Sequence, residues 1–597
     1  MTTVQQFLSE TAARALPRIL TQICRDPGAP FYGACDRNWW HYKIRDFPSV
    51  ILQQAGYAVA LAAEMEPWKK DSTALRETAA ASARFWNRRA LLHGAFEEYY
   101  PYEQGYPPVA FSTLAVAKLC HQGIVPLVDI HPGLVIAARQ LLDRFEAEAA
   151  NQQIAGTAAL AVIRSLDFSL IDESSFQKIL TKILDLQHTE GWFPEYDGPD
   201  LGYLAVSIDC LWDIHDHTHD PRILPAIRKA ADYIAWFALS PFGAAGMHNS
   251  RNTDYFTPYG LVRLALEESD PQIIATVETL FTRKEAGDRN QQPEVSNSQS
   301  PISQLQSPIP FHPFDAVDDR YWCHYIGHSV LRALSLLENR GWDLQSQSVA
   351  GTSCPQPSTT EKPNPPTCSD VHRPPLQAPL PLLTDHGSRI TSSISRPGSG
   401  HAILTSPTGA TALVSTRKGA ITTAIWPDGS IANDFGWIVQ TPRQLFVSHW
   451  WTPAWIVKAD DTIASCDGYL VSHKEHLSAP WKHMVLRIGS FCMGRRLIRI
   501  LKRLVIFKKP QQILHFTRSV IWENETLVIH DKITGICEND TITCAPRTSK
   551  RHVASADSFH PEDFEMRRGV KRSEKVTCTQ GAFECESRYQ KPKTREA

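Results

Sequence analysis

What most limits the fold of this chain is a change of hydrophobic period part-way along its 597 residues. Up to about Asn339, apolar residues recur at three- and four-residue spacing, as in FPSVILQQAGYAVALAAEM and SFQKILTKILDLQ, which is the period of an amphipathic helix. After about residue 386 the period drops to two. HAILTSPTGATALVSTRKGAITTAIW and TLVIHDKITG are short β-branched runs broken by Gly, Pro, Asp and Asn. Between the two regimes, QSQSVAGTSCPQPSTTEKPNPPTCSDVHRPPLQAPLP is too poor in apolar side chains to build a core. The pattern predicts a multidomain chain, α then β: an α/α helical toroid or stacked helical hairpins over 1–341, a linker over 342–385, and an antiparallel β-sandwich over 386–546. A polar stretch at about 283–310 reads as a disordered loop, and the charged segment 547–597 as a frayed tail.

Composition removes several function classes. A formal net charge of −2 gives no electrostatic reason to expect a nucleic-acid partner. The opening MTTVQQFLSETAARALPRIL has no apolar core and no small-residue cleavage site, and no window approaches a membrane span of roughly 20 apolar residues. The 13 cysteines are odd in number and lack a C-x-x-C pair, so the expected compartment is the cytoplasm. P-loop, dinucleotide glycine fingerprint and nucleophile elbow are all missing from the sequence, and no cofactor is expected.

The informative stretches are loops between helical segments. EGWFPEYDGPDLGYL, from Glu190, crowds aromatic and acidic side chains onto a bent backbone. Such a loop could line a sugar-binding cleft, with Trp192 stacking on a ring, or plug a gap between helices. GMHNSRNTDYFTPYG places His248, Arg251, Asn252 and Tyr255 at a helix start. Arg251 could clamp a carboxylate in bidentate fashion, and His248 could share proton transfer. A capping loop tied by one buried Arg is the alternative. NWWHYKIRDF is either a stacking surface or packing between helices. DIHDHTHD, from Asp213, reads as a solvated connector rather than a metal site, because i and i+2 positions on a helix point apart. His324 and His328 have i, i+4 spacing but no third ligand nearby, so no metal is expected. In MGRRLIRILKRLVIFKK, apolar Leu497, Ile498, Leu501 and Leu504 oppose a row of Arg and Lys. Segment 495–509 is therefore either a basic amphipathic helix able to lie peripherally on the inner face of an anionic membrane, or a basic edge of the β-domain.

Two of these features resemble the heparinase II/III-like polysaccharide lyases. An alanine-rich helix opens at Asn151 (NQQIAGTAALAVI), and Tyr203 follows in an acidic aromatic loop 52 residues later, the length of one helical hairpin. The resemblance implies a toroid followed by a β-sandwich, acting on a uronate-containing, acidic polysaccharide by β-elimination. It implies that Asn151 neutralises the substrate carboxylate, that Tyr203 is base and acid with His248 assisting, and that Glu195 stands at the acidic position before the Tyr. Trp192, Arg251, Asn252 and Tyr255 are the expected substrate contacts. Gln152 stands where a His often follows the Asn, and RKGAITTAIWPDGSIAND lacks the His-rich strand motif of many such enzymes. Two alternatives therefore stay open: hydrolysis by two of Glu195, Asp197 and Asp200, and glycan binding or a part in polysaccharide biosynthesis without catalysis.

Overall fold

A computed structural model describes residues 3–282 (except 93, 241, 243–245 and 254), 314, 317–340, 342, 394–460 (except 397), 462–473, 479–546 (except 506, 508 and 509) and 567–591. The loop expected at about 283–310 and the linker expected at 342–385 lie outside these residues, apart from Trp342.

The helical half begins with α1 (Thr3–Gln22), a single turn α2 (Arg37–Trp40), α3 (Ala55–Ala62), α4 (Ser72–Leu91), α5 (Tyr106–His121) and α6 (Leu127–Leu142). It continues with α7 (Ala150–Leu166), α8 (Glu173–Leu184), α9 (Leu201–Thr218) and α10 (Ile223–Ala238). It ends with α11 (Tyr259–Glu268), α12 (Pro271–Leu280), a short α13 (Asp319–Tyr321) and α14 (Gly327–Arg340). Six of these, α3, α5, α7, α9, α11 and α14, touch in that order, and α14 packs back on α3 to close the ring. Helices α4, α6, α8, α10, α12 and α1 lie around them, which makes an α/α toroid.

The sequence explains which helix goes where. α5 and α7 are rich in Ala and buried along almost their whole length, as an inner helix with neighbours on all sides must be. α8 buries only Phe176, Ile179, Leu180 and Ile183, the single stripe of an outer helix. Because outer and inner helices alternate in direction, the inner helices all start at one rim. The loops there are stitched together: Tyr196 donates its N–H to Glu148 O at 2.6 Å, and Ser250 to Pro199 O at 2.8 Å.

An ion trio crosses the ring. Asp213 on α9 accepts from Lys118 Nζ of α5 and from Arg332 Nη2 of α14, both at 2.7 Å, and all three are buried. Burial alone would raise the Asp213 carboxyl, but Arg332 and Lys118 hold it at about 2. The expectation of a solvated connector therefore fails at its first residue, because α9 is an inner helix and only its end reaches solvent. His324 and His328 are buried too, and burial pushes both well below the usual histidine range.

The second half is antiparallel throughout. A meander of β1 (Ile394–Arg396), β2 (His401–Thr405), β3 (Thr411–Ser415), β4 (Ile421–Ile425) and β5 (Ile431–Asp434) forms the first sheet. β6 (Trp437–Gln440) and β7 (Leu445–Val447) start the second, and β8 (Ile456–Ala459) and β9 (Ile463–Tyr469) start the third. After β10 (Val471–His473), which pairs with β7, a helical hairpin leaves the sheets: α15 (Pro480–Met493) and α16 (Arg495–Val505). β11 (His515–Glu523) and β12 (Thr526–Thr534) return to the third sheet, and β13 (Thr541–Cys544) pairs with β6. β14 (Arg567–Arg568) pairs with β5, and β15 (Lys571–Thr579) with β16 (Ala582–Gln590) on the third sheet. The sheets share one core, to which Leu404, Val414, Trp437, Phe446, Phe516 and Ile529 contribute.

The expected architecture, a helical toroid followed by antiparallel sheets, is thus the one observed. Its far boundary needs correction, since 571–590 is a hairpin and not a frayed tail. Phe583, Cys585, Ser587 and Tyr589 point inward at period two, while the charged residues of β15 form the exposed face of an edge strand. Segment 495–509, which carried two readings, is helical from Arg495 to Val505, in a hairpin inserted between β10 and β11.

Candidate functional site at the toroid rim

Two buried carboxyl groups organise the rim. Asp200 caps α9, its Oδ1 accepting the Tyr203 N–H at 3.1 Å, while its Oδ2 accepts the N–H groups of Arg251 (3.1 Å) and Thr253 (3.3 Å). Glu195 Oε1 accepts the Asn151 N–H at 2.8 Å, at the start of α7. Ser250 Oγ donates to Glu195 O at 3.0 Å. The starts of α7 and α9 and the loop before α11 are therefore held by two side chains that are 2% and 1% exposed. Burial pushes the Asp200 carboxyl up and the Glu195 carboxyl well above the usual range, and Glu195 Oε2 makes no hydrogen bond.

Around this frame sit groups with unused capacity. Asn151 is 3% exposed, and its side-chain amide makes no hydrogen bond to any described residue. The Arg251 guanidinium lies 4.2 Å over the Tyr196 ring, and its Nε and Nη2 are buried without a hydrogen-bond partner among the described residues. Tyr196 also takes a contact from Gln152 Nε2 at 3.4 Å and lies 5.4 Å beneath Lys502 Nζ of α16. Tyr196 and Asp197 hold left-handed backbone, with φ of 53° and 75°. The turn is braced by the second half of the chain, because a Cβ on Gly198 would stand 2.5 Å from the Trp451 ring.

Tyr203 is 9% exposed on the third residue of α9. It neighbours Tyr325, whose hydroxyl is pushed well up by burial and by the nearby Tyr255 and Tyr203. Tyr255 Oη lies 3.2 Å from Tyr325 Oη. His248 contacts the β half. Its Nδ1 is 2.7 Å from Ser415 Oγ and its Nε2 3.0 Å from Thr423 Oγ1, so the ring bolts the toroid to β3 and β4. Asn252 is likewise engaged, its Oδ1 accepting from Lys418 Nζ, which also donates to Met247 O and Asn249 O at 2.6 Å. Trp192 corrects an expectation: it is buried, stacked on His188 at 4.5 Å and bonded through Nε1 to Glu190 Oε2, and so is packing and not a sugar platform. The rim thus assembles Asn151, Glu195, Tyr203 and Arg251, and it turns Trp192, His248 and Asn252 to structural work.

A concavity of about 620 Å³ lies elsewhere, on the third sheet between Lys458, Asp467, His530, Lys532, Lys575 and Glu586. Several of its charged residues pair across strands, as Lys532 does with Glu584 at 2.8 Å, and none of the residues that the sequence singles out lines it, whereas the rim gathers them. The rim is therefore the candidate site. Among the described residues, no group of three or more His, Cys, Asp or Glu is placed to hold a metal ion.

No protein-family profile matches the chain, and no curated protein sequence matches it. Among solved structures it is similar to the chondroitin AC lyase of Streptomyces coelicolor A3 in complex with chondroitin sulphate, at 10% identity and a TM-score of 0.43, covering 98% of this chain and 77% of that one. It is also similar to the cellobiose 2-epimerase of Bacillus thermoamylovorans B4167, at 13% identity and a TM-score of 0.30, over 46% of this chain and 85% of that one.

Sequence reasoning missed Trp451 and Lys418, which meet the rim from the β half, and the seat of Lys502 above Tyr196. Nothing local marks Trp451 among the 16 tryptophans.

Proposed function

We propose that the rim binds a uronate-containing polysaccharide and cleaves it by β-elimination, as the heparinase II/III-like lyases do. The observation that supports this is Arg251: two nitrogens of its half-buried guanidinium have no hydrogen-bond partner among the described residues, which leaves donors for an anion. It lies in the same hydrogen-bonded frame as the idle Asn151 amide. In this reading Arg251 and Asn151 bind the substrate carboxylate and stabilise the charge that develops on it when the adjacent carbon loses its proton. Tyr203, as tyrosinate, takes that proton. The freed electron pair forms the carbon–carbon double bond, the glycosidic C–O bond breaks, and the same tyrosine returns the proton to the leaving oxygen. Hydrolysis would need two accessible carboxyl groups, but Glu195 and Asp200 are buried acceptors of backbone N–H groups, which leaves Asp197 alone exposed.

One observation favours a second reading, glycan binding without turnover. Both His248 nitrogens lie within hydrogen-bond distance of hydroxyls of the β half, Ser415 Oγ and Thr423 Oγ1, which weighs against a share in proton transfer with the tyrosine. Ultraviolet absorbance during incubation with a panel of polyuronates separates the two. A rise in the wild type that Tyr203→Phe abolishes supports elimination. A flat trace despite measured binding supports the second reading, and new reducing ends without absorbance would overturn both.

A further inference from the structure

The hairpin α15–α16 turns its apolar side outward. Along α15, Trp481, Met484, Val485, Ile488 and Phe491 fall on one stripe of the helix, and each is 57–71% exposed. The single buried residue of α15 is Ser490. The side facing α16 is narrow, with Leu497 in van der Waals reach of Gly489. On α16, Leu504 is exposed beside Arg495, Arg496, Arg499 and Arg503, which are exposed too. The patch runs on into the toroid: Tyr102, whose ring meets Phe491 edge-on, is exposed, and so is Ile44, two residues from the Asp46 that Arg487 grips. From Pro480 to Val505 the hairpin carries seven Lys or Arg and no Asp or Glu.

We propose that this hairpin is an interfacial anchor, seated on a bilayer rich in anionic lipid with the α15 stripe at the acyl boundary and the α16 arginines among headgroup phosphates. The charge decides between occupants. A second copy docked through the same face would oppose one all-basic hairpin with another. A soluble acidic glycan would satisfy the arginines but leave a row of Trp, Met, Val, Ile and Phe in water. A lipid surface satisfies both halves of the pattern. Arg487 Nη2 bonds Asp46 Oδ1 at 2.8 Å and Lys502 Nζ bonds Glu146 Oε2 at 2.6 Å, so an anchored hairpin would carry the candidate site with it to the membrane. The anchor stands whether or not the rim is catalytic.

The test is flotation of the full chain with phosphatidylcholine vesicles, with and without phosphatidylglycerol. Wild type is expected to float only with the anionic vesicles. A Trp481→Ser, Ile488→Ser, Phe491→Ser variant and an Arg495→Glu, Arg499→Glu, Arg503→Glu variant should each bind at least about tenfold more weakly. Their thermal midpoints should not fall, since the replaced side chains are exposed. Absence of flotation, or flotation that both variants keep, would overturn the proposal. So would a wild-type dimer that the serine variant dissociates, or polyuronate binding lost in that variant with no vesicle binding by wild type.

Discussion

Glu195→Gln separates a positioning carboxyl from a reacting one. Glu195 contributes one oxygen to the fold, Oε1 on the Asn151 N–H, and Oε2 is buried without a partner. Burial, outweighing the Asn151 hydrogen bond and Arg251, pushes its pKa well above the ordinary carboxylate value, so the folded protein holds this proton to a higher pH than the unfolded chain does. Gln has the same shape and supplies the same acceptor, so below the ordinary carboxylate pKa the expected stability change is within about 1 kcal/mol. Glu195→Ala strands a buried N–H and removes packing, at about 2–4 kcal/mol. The proton adds a sharper expectation. The folded acid keeps a proton that the unfolded chain releases above its ordinary carboxylate pKa. Wild type therefore loses stability as pH rises from that ordinary value to the raised one, by about 1.4 kcal/mol for each pH step between them. Gln cannot titrate. Thermal midpoints of wild type and Glu195→Gln across a pH series should therefore diverge in favour of the variant with rising pH, while any lyase turnover persists. Parallel pH curves would refute the account of Glu195 as a buried neutral acid. Loss of turnover in a stable Gln variant would refute its positioning role.

Other substitutions test the frame. Asp213→Asn leaves Lys118 and Arg332 buried without their counter-charge and should cost about 3–5 kcal/mol, read as a drop in thermal midpoint; a change under about 1 kcal/mol would place the trio in contact with water. Gly198→Ala should destabilise the protein by about 1–3 kcal/mol through its clash with Trp451, and Trp451→Ala should suppress part of that loss in the double variant. Simple additivity of the two would contradict the packing.

The division into α and β halves was legible because hydrophobic period is a local property. The rim loops were legible as loops because an inner helix of a toroid must start somewhere, and its start carries Gly, Pro, Asp and aromatic residues. The orientation of a loop side chain was not legible. Glu195 and Asp200 look the same in sequence whether they face solvent or backbone N–H groups, and the difference is set by contacts with Asn151 and Arg251 far along the chain. The packing of Trp192 and the approach of Trp451 to Gly198 were hidden for the same reason, since which ring meets the rim depends on how the halves dock. The hairpin 571–590 escaped notice because Cys585 and Ser587 dilute its alternation. The α15 stripe escaped because the arginines of α16 are the louder signal.

The most direct test of the rim as a carboxylate site is calorimetric binding of a uronate oligosaccharide and of its carboxyl-reduced counterpart, to wild type and to Arg251→Ala. Wild type is expected to bind the acidic form at least about tenfold more tightly than the reduced form, and Arg251→Ala to lose this preference while its thermal midpoint is kept. Equal binding of the two sugars by wild type, or a preference that survives in Arg251→Ala, would contradict a carboxylate site at the rim.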